Sequence, residues 1–357
     1  MKTKNNDIQF FKFVYSCVIV LYHLASSTSI RFRGGYCAVE YFLLTAGMFL
    51  FLSFERGEER GNLASPGKYF CRRFSRFFPW SLTAFILTAV VERVVISPTT
   101  SLAAWADYFA SDVWEILLVK WNGMNNNAYL LNGPAWTLSA MLLVGFLIWS
   151  FLYYHKKLFL NFIVPISLMI GFGYWMHLPS ADTEKWIGFT TFGTFRTWLI
   201  FCLSVYCLQL GKKLAEIPFS KAGRILLTSA EMLIHLIALS VMVVRAERYY
   251  QWLLTLLFVL SILIAISGHS YLAKILEKTK LIHWLGELSM SIYLVHTAVI
   301  CLFRNWYDMS GWSYGELVPV FAAVLGVSVL HYFGTKWLLV VTEKLWGVLK
   351  RKLIVQQ

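Results

Sequence analysis

The chain of 357 residues is 58% apolar and 17% aromatic but only 14% charged, too little charge to cover a water-soluble globule of that length. Its net charge of +13 would suit nucleic acid, yet the lysines and arginines alternate between short segments and form no single patch, which excludes nucleic acid as the partner. The apolar residues come in runs of about 20, the length that carries a helix across roughly 30 Å of hydrocarbon.

In chain order the runs give ten candidate spans, at about 8–27, 36–54, 75–96, 134–154, 158–177, 193–210, 225–244, 249–268, 284–303 and 316–338. They predict an all-α integral membrane protein, a polytopic bundle of about ten transmembrane helices. The whole of 1–357 reads as one membrane-embedded domain with no soluble domain. The first span carries Lys12 and His23 and lacks a small-residue cleavage site, so it reads as a retained span and not as a signal peptide. With the N-terminus inside, roughly 22 Lys and Arg fall on inner segments against about 8 on outer ones. That asymmetry predicts both termini in the cytoplasm.

One long outer segment, about 97–133, holds Trp105, Tyr108, Trp114, Trp121, Asn122, Asn125, Asn126, Asn127 and Tyr129. It is expected to lie at the outer interface, where such side chains serve either an aromatic belt or a saccharide. Cys17, Cys37, Cys71, Cys202, Cys207 and Cys301 show no metal-like pairing. Neither structural disulfides nor a metal site are expected.

Lys12 and His23 stand about 16 Å apart along one helix axis, the first near the cytoplasmic headgroups and the second in the outer third. Glu40 lies near the outer end of the returning span, at the depth of His23. An ionisable group in hydrocarbon is costly unless paired. If the two meet, Glu40 fixes the His23 tautomer and His23 acts as general base toward a hydroxyl; otherwise His23 is a hydrogen-bonded bundle histidine and Glu40 its packing partner. At the mouth of the third span, Arg72, Arg73 and Arg76 are interleaved with Phe70, Phe74, Phe77, Phe78 and Trp80. That cluster suits the phosphates and base of a coenzyme, and it is equally what a cytoplasmic flank looks like. His296, which could line the same cavity as His23, Arg196, which could bind an acidic sugar or pair with Glu40, and Trp136 are candidate acceptor-binding residues, against packing or snorkelling roles. Glu231 and His235 share a helical face but have no further ligands in view.

Taken in order, Lys12 with His23, the run Val39-Glu40-Tyr41-Phe42-Leu43-Leu44-Thr45-Ala46-Gly47, the Arg73-to-Arg76 box before Pro79, Trp136-Thr137-Leu138-Ser139, and Leu285-Gly286 with Ser289 to His296 resemble the membrane-bound acyltransferase-3 family over about residues 8–338. The resemblance implies a ten-helix bundle that takes an acyl group from a cytoplasmic acyl-CoA and delivers it at the outer face. It maps the family's functional positions onto Lys12, His23, Arg73 and Arg76, with Arg72 adjacent. Three positions depart from the common pattern: Glu40 where Asp is frequent, Thr45 where Ser is frequent, and Ala140 where many members continue Val-Glu.

The resulting expectation is a multi-pass protein of the bacterial plasma (inner) membrane, transferring acetyl from acetyl-CoA to a hydroxyl of a cell-envelope polysaccharide or lipid-linked sugar. A larger acyl group such as succinyl is the near alternative. His23 activates the acceptor directly or carries the acyl group itself, oriented by Glu40, with Lys12, Arg72, Arg73 and Arg76 on the coenzyme. The rival from another class is a transporter or flippase for a lipid-linked saccharide, with His23, Glu40 and Arg196 as pathway charges. It predicts inverted repeats and broken helices, neither of which the sequence displays, and activity without acyl-CoA.

Overall fold

The computed structural model describes residues 6–28, 30, 32, 34–98, 101–111, 113–118, 132–177, 183–244, 248–277 and 280–355. Helix α1 (Asn6–Ala25) is followed by α2 (Ala38–Glu59) and α3 (Pro66–Val90), which runs on through a π-helical turn at Val91–Ile96. Short helices α4 (Leu102–Ser111) and α5 (Val113–Ile116) precede α6 (Ala135–Leu158), a π-helical turn at Phe159–Ile163 and α7 (Val164–His177). A two-residue hairpin, β1 (Trp186–Ile187) with β2 (Thr190–Thr191), leads into α8 (Phe192–Glu216) and α9 (Lys221–Val244). Then come α10 (Arg248–Ser267), short α11 (Leu272–Glu277), α12 (Lys280–Trp306) and α13 (Tyr314–Val355). The chain is an all-α polytopic membrane protein.

Among the described residues nine helical segments are long and apolar enough to cross a bilayer. One of them, Ala135–Gly173, has 39 residues, about 58 Å if straight, twice the hydrocarbon thickness. It is broken at His155, whose backbone leaves the helical region (φ −139°, ψ 43°). Trp136 at one end lies against Gly193 at the start of α8, and Phe172 near the other lies 6.5 Å from Trp252 at the start of α10. Because α9 returns between α8 and α10, both begin on the same face. The segment therefore crosses and comes back, which accounts for the two spans expected at 134–154 and 158–177.

The third span begins earlier than expected. Ser65 is extended and Pro66 opens the helix, a position where the missing N–H costs nothing, so Arg72, Arg73 and Arg76 lie within the second and third turns of α3 and not on a flank before it. In the outer segment, Trp105 packs beside Phe85 and Ala89 of α3, which makes it part of the bundle. Trp121, Asn122, Asn125, Asn126, Asn127 and Tyr129 lie outside the described residues, and of the side chains of Tyr108 and Trp114 nothing is described.

Close helix approach fixes the frame. A Cβ on Gly286 of α12 would collide with Gln9 of α1, 3.0 Å from its Cα, and one on Gly47 of α2 would stand 3.1 Å from the Cα of Phe201 in α8. Small residues at such crossings let backbones meet where no hydrophobic force drives association. The Ser204 hydroxyl at the second crossing lies 3.1 Å from the Leu44 carbonyl oxygen, a polar tie between the same helices.

Candidate active site

Two cavities enter the bundle from opposite faces. The one on the Lys- and Arg-rich face, about 190 Å³, is lined by Lys12 of α1, Phe42, Thr45 and Phe49 of α2, Arg73, Arg76 and Phe77 of α3, Thr137 and Met141 of α6, and Ser289 and Tyr293 of α12. The other, about 210 Å³, is lined by Tyr22 and His23 of α1, Tyr36, Trp136, Thr183, Arg196 of α8, and Tyr293 and Thr297 of α12. Val39 and Tyr293 line both. These two side chains form the partition between the cavities.

Helix periodicity explains the basic cavity. Tyr69, Arg73 and Phe77 follow at steps of four along α3, and the Arg73 guanidinium lies 6.0 Å from the Tyr69 ring and 5.0 Å from the Phe77 ring. Tyr69 in turn stacks on Trp149 of α6, with ring centroids 4.3 Å apart and planes at 11°. Arg76, three residues on, shares the face of Arg73. Arg72 is one residue, or about 100°, round the helix, and it lines a third cavity of about 320 Å³ with Arg56 of α2 and Arg60 at the C-cap of that helix. The single arginine clamp expected from sequence is thus divided between two neighbouring cavities.

Behind the wall of the opposite cavity, which Arg196 lines, the carboxylate of Glu40 lies 3.7 Å from Arg196, and the two side chains are 0% and 1% exposed. The guanidinium of Arg196 also stands over the Trp136 ring at 5.1 Å. The ring beside His23 is that of His296, with centroids 5.0 Å apart. His296 is fully buried. Its Nδ1 lies 3.2 Å from the Ile292 carbonyl oxygen, which places the proton there and leaves Nε2 a buried acceptor without a hydrogen-bond partner. The expected orientation of His23 by Glu40 is therefore drawn differently by the geometry: Glu40 binds Arg196, and His296 backs His23.

Sequence reasoning missed Arg56, Arg60 and Arg304. The first two stand four apart, Arg56 in the last turn of α2 and Arg60 at its C-cap, a signal available in the sequence but inseparable there from an ordinary basic flank. Arg304 of α12 donates through Nη2 to the His23 carbonyl oxygen at 2.9 Å and to Ser26 Oγ at 3.1 Å, and through Nε to Ser27 Oγ. His235 is bonded to the Tyr15 hydroxyl at 2.7 Å and stacks on Phe11 at 3.3 Å, so it belongs to the packing between α1 and α9. No group of three or more His, Cys, Asp or Glu side chains able to hold a metal is found among the described residues.

The fold and cavities define a polytopic membrane protein with two adjoining cavities that share Val39 and Tyr293. A family model described as an acyltransferase domain matches residues 5–333. The chain belongs to the acyltransferase-3 family, and it is a membrane acyltransferase by that membership. Neither a curated protein nor a solved structure matches it.

Proposed function

We propose that the protein is an O-acetyltransferase of the bacterial plasma membrane that moves acetyl from cytoplasmic acetyl-CoA to a hydroxyl of an envelope polysaccharide or lipid-linked sugar. The observation that carries this reading is the partition at Val39 and Tyr293: cations converge on one side of it and a histidine stands on the other. Sidedness follows from the lysines and arginines, which mark the Lys12 and Arg73 face as cytoplasmic. Lys12, Arg73 and Arg76 hold the phosphates of the donor, and the thioester arm reaches past Phe42 and Met141 toward the partition.

On the far side, Trp136 offers an aromatic face and Tyr22, Tyr36 and Thr297 offer hydroxyls to the acceptor sugar. Arg196 lines that side with Glu40 behind it, so the charge it presents to the acceptor is offset. His23 takes the proton of the acceptor hydroxyl as its oxygen attacks the thioester carbonyl. The new C–O bond forms, the C–S bond breaks, and the proton passes from His23 to the departing thiolate. A neutral imidazole is needed to begin.

The test is transfer of label from radiolabelled acetyl-CoA to envelope saccharide in membranes holding wild type, His23→Ala or Arg73→Ala/Arg76→Ala. Label that depends on His23 and the arginines is the expected result. Label from succinyl-CoA but not acetyl-CoA would change the acyl group assigned. Adjoining cavities entered from opposite faces also suit a flippase, and absence of label from either donor with folded protein and plentiful acceptor would favour that function.

A further inference from the structure

We infer that Tyr293 is a catalytic residue whose hydroxyl holds the thioester carbonyl oxygen while that oxygen carries negative charge. This deepens the donor reading given above and rests on it. Ser289, Tyr293 and Thr297 follow at steps of four along α12, about 6 Å apart on one face. Ser289 lines the basic cavity, Thr297 lines the opposite one, and Tyr293 lines both. A carbonyl delivered from one side and a hydroxyl delivered from the other meet at the level of that ring. Val39, which also lines both cavities, has no side-chain proton to donate.

Attack on a thioester puts negative charge on the carbonyl oxygen, and in a low-dielectric interior an oriented donor at that oxygen is a large part of catalysis. The neighbouring hydroxyls of the basic cavity are committed to backbone: Thr45 donates to the Tyr41 carbonyl oxygen at 2.9 Å, Thr137 to that of Pro134 at 3.0 Å and Ser289 to that of Gly286 at 2.7 Å. A phenol, at the end of a rigid ring, does not turn back onto its own helix in this way. The Tyr293 ring is set between Phe42 of α2 at 6.0 Å and His296 at 6.1 Å, and His296 lies 5.0 Å from His23. Base and donor thus flank one ring. A tetrahedral carbon between them can offer the acceptor oxygen to His23 and its oxyanion to Tyr293, each at about 3 Å. Of the cations, Lys12 lies about 16 Å below His23 along α1, and Arg196 is held by Glu40. As the C–O bond forms, the carbonyl π electrons move onto oxygen, where the phenolic O–H bonds them. They return as the C–S bond breaks, and Tyr293 keeps its proton throughout.

The experiment compares wild type with Tyr293→Phe, which keeps the ring in the partition and removes the hydroxyl alone. Transfer of label from saturating acetyl-CoA to envelope saccharide should fall about 10²- to 10³-fold, the cost of one lost oxyanion donor, with Tm unchanged. The purified full chain in nanodiscs is then titrated with coenzyme A and with trifluoroacetonyl-coenzyme A, whose ketone hydrates to a tetrahedral carbon near the acyl position. Wild type should favour the ketone, and Tyr293→Phe should bind it about tenfold more weakly or worse while binding coenzyme A as wild type does. Transfer near the wild-type rate in the variant overturns the role and leaves the donor reading standing. So does a slow variant that binds the ketone as tightly as wild type, because the hydroxyl then serves the acceptor. A fall in Tm with both ligands weakened overturns it too, by making Tyr293 a packing residue. If wild type binds neither ligand, the donor reading itself fails and takes this role with it.

Discussion

The two faces of the bundle handle charge in opposite ways. On the basic face Arg72 and Arg76 are exposed and keep much of their hydration, while Arg73 and Lys12 are half-buried behind them. On the other face Arg196 and Glu40 are almost fully buried against each other. Two such ions can stay in a bilayer interior only as a pair. The difference teaches what each cavity can recognise: hydrated, convergent cations suit a polyanion, whereas a self-neutralised pair beside an aromatic ring suits a polyhydroxyl compound without net charge.

Breaking this division at its chemical centre should have the largest effect. His23→Ala should lower transfer by about 10²- to 10⁴-fold, the range of a lost general base, with the Kd for coenzyme A unchanged. A variant that keeps a rate near the wild-type one would remove His23 from the chemistry. Next comes the buried pair. Arg196→Ala or Glu40→Ala alone should cost roughly 3–5 kcal/mol, because each leaves an uncompensated buried charge, and the loss is read as a fall in Tm of the purified protein. Arg196→Met/Glu40→Leu should restore most of that stability and still fail to transfer to the acceptor. If the single variants are as stable as wild type, the pair is not the buried unit its exposure implies.

The basic face should respond more gently. Arg73→Ala/Arg76→Ala should raise KM for acetyl-CoA by about tenfold or more and change kcat less, since the partition and His23 are untouched. The wild-type KM should itself rise with ionic strength, because the exposed Arg76 is screened by salt. A fall in kcat at unchanged KM would place these arginines in the chemical step instead.

Much of this division was legible in the sequence, because hydrophobic run length and basic flanks report directly on the bilayer. The depth argument on α1 and α2 sets His23 and Glu40 at one level, but matched depth says nothing of rotation about the helix axis. Rotation is set by packing, which chooses among the pairings left open by the sequence: Glu40 with Arg196, and His23 beside His296. The same limit applies to the arginines: three basic residues within five positions look like one clamp until the 100° step between neighbours is laid on a real helix. Tyr293 sat in a recognised stretch of α12 without a role. Its place in the partition depends on α1, α2, α6 and α12 meeting at one depth, which no local pattern encodes. The break at His155 shows a further limit, since hydropathy separated two spans there while the backbone stays helical almost throughout.

The smallest effect should come from Arg304, which holds the end of the helix that carries His23 without lining either cavity. The His23 carbonyl belongs to the last turn of α1, where carbonyls lack intrahelical partners. It accepts from Ser26 Oγ at 2.8 Å as well as from Arg304 at 2.9 Å. The arginine thus adds a cation where the helix dipole favours one, and it ties α12 to α1 beside the His23–His296 contact. Being exposed, it should contribute little to global stability. Arg304→Ala should therefore lower kcat by only a few fold, with KM for acetyl-CoA and Tm near wild type. Arg304→Lys, which keeps the charge and loses the planar fork, should recover only part of the rate. Full recovery by lysine would mean that charge alone matters there, whereas a large fall in Tm for the alanine variant would mean that Arg304 secures the bundle and not the placement of His23.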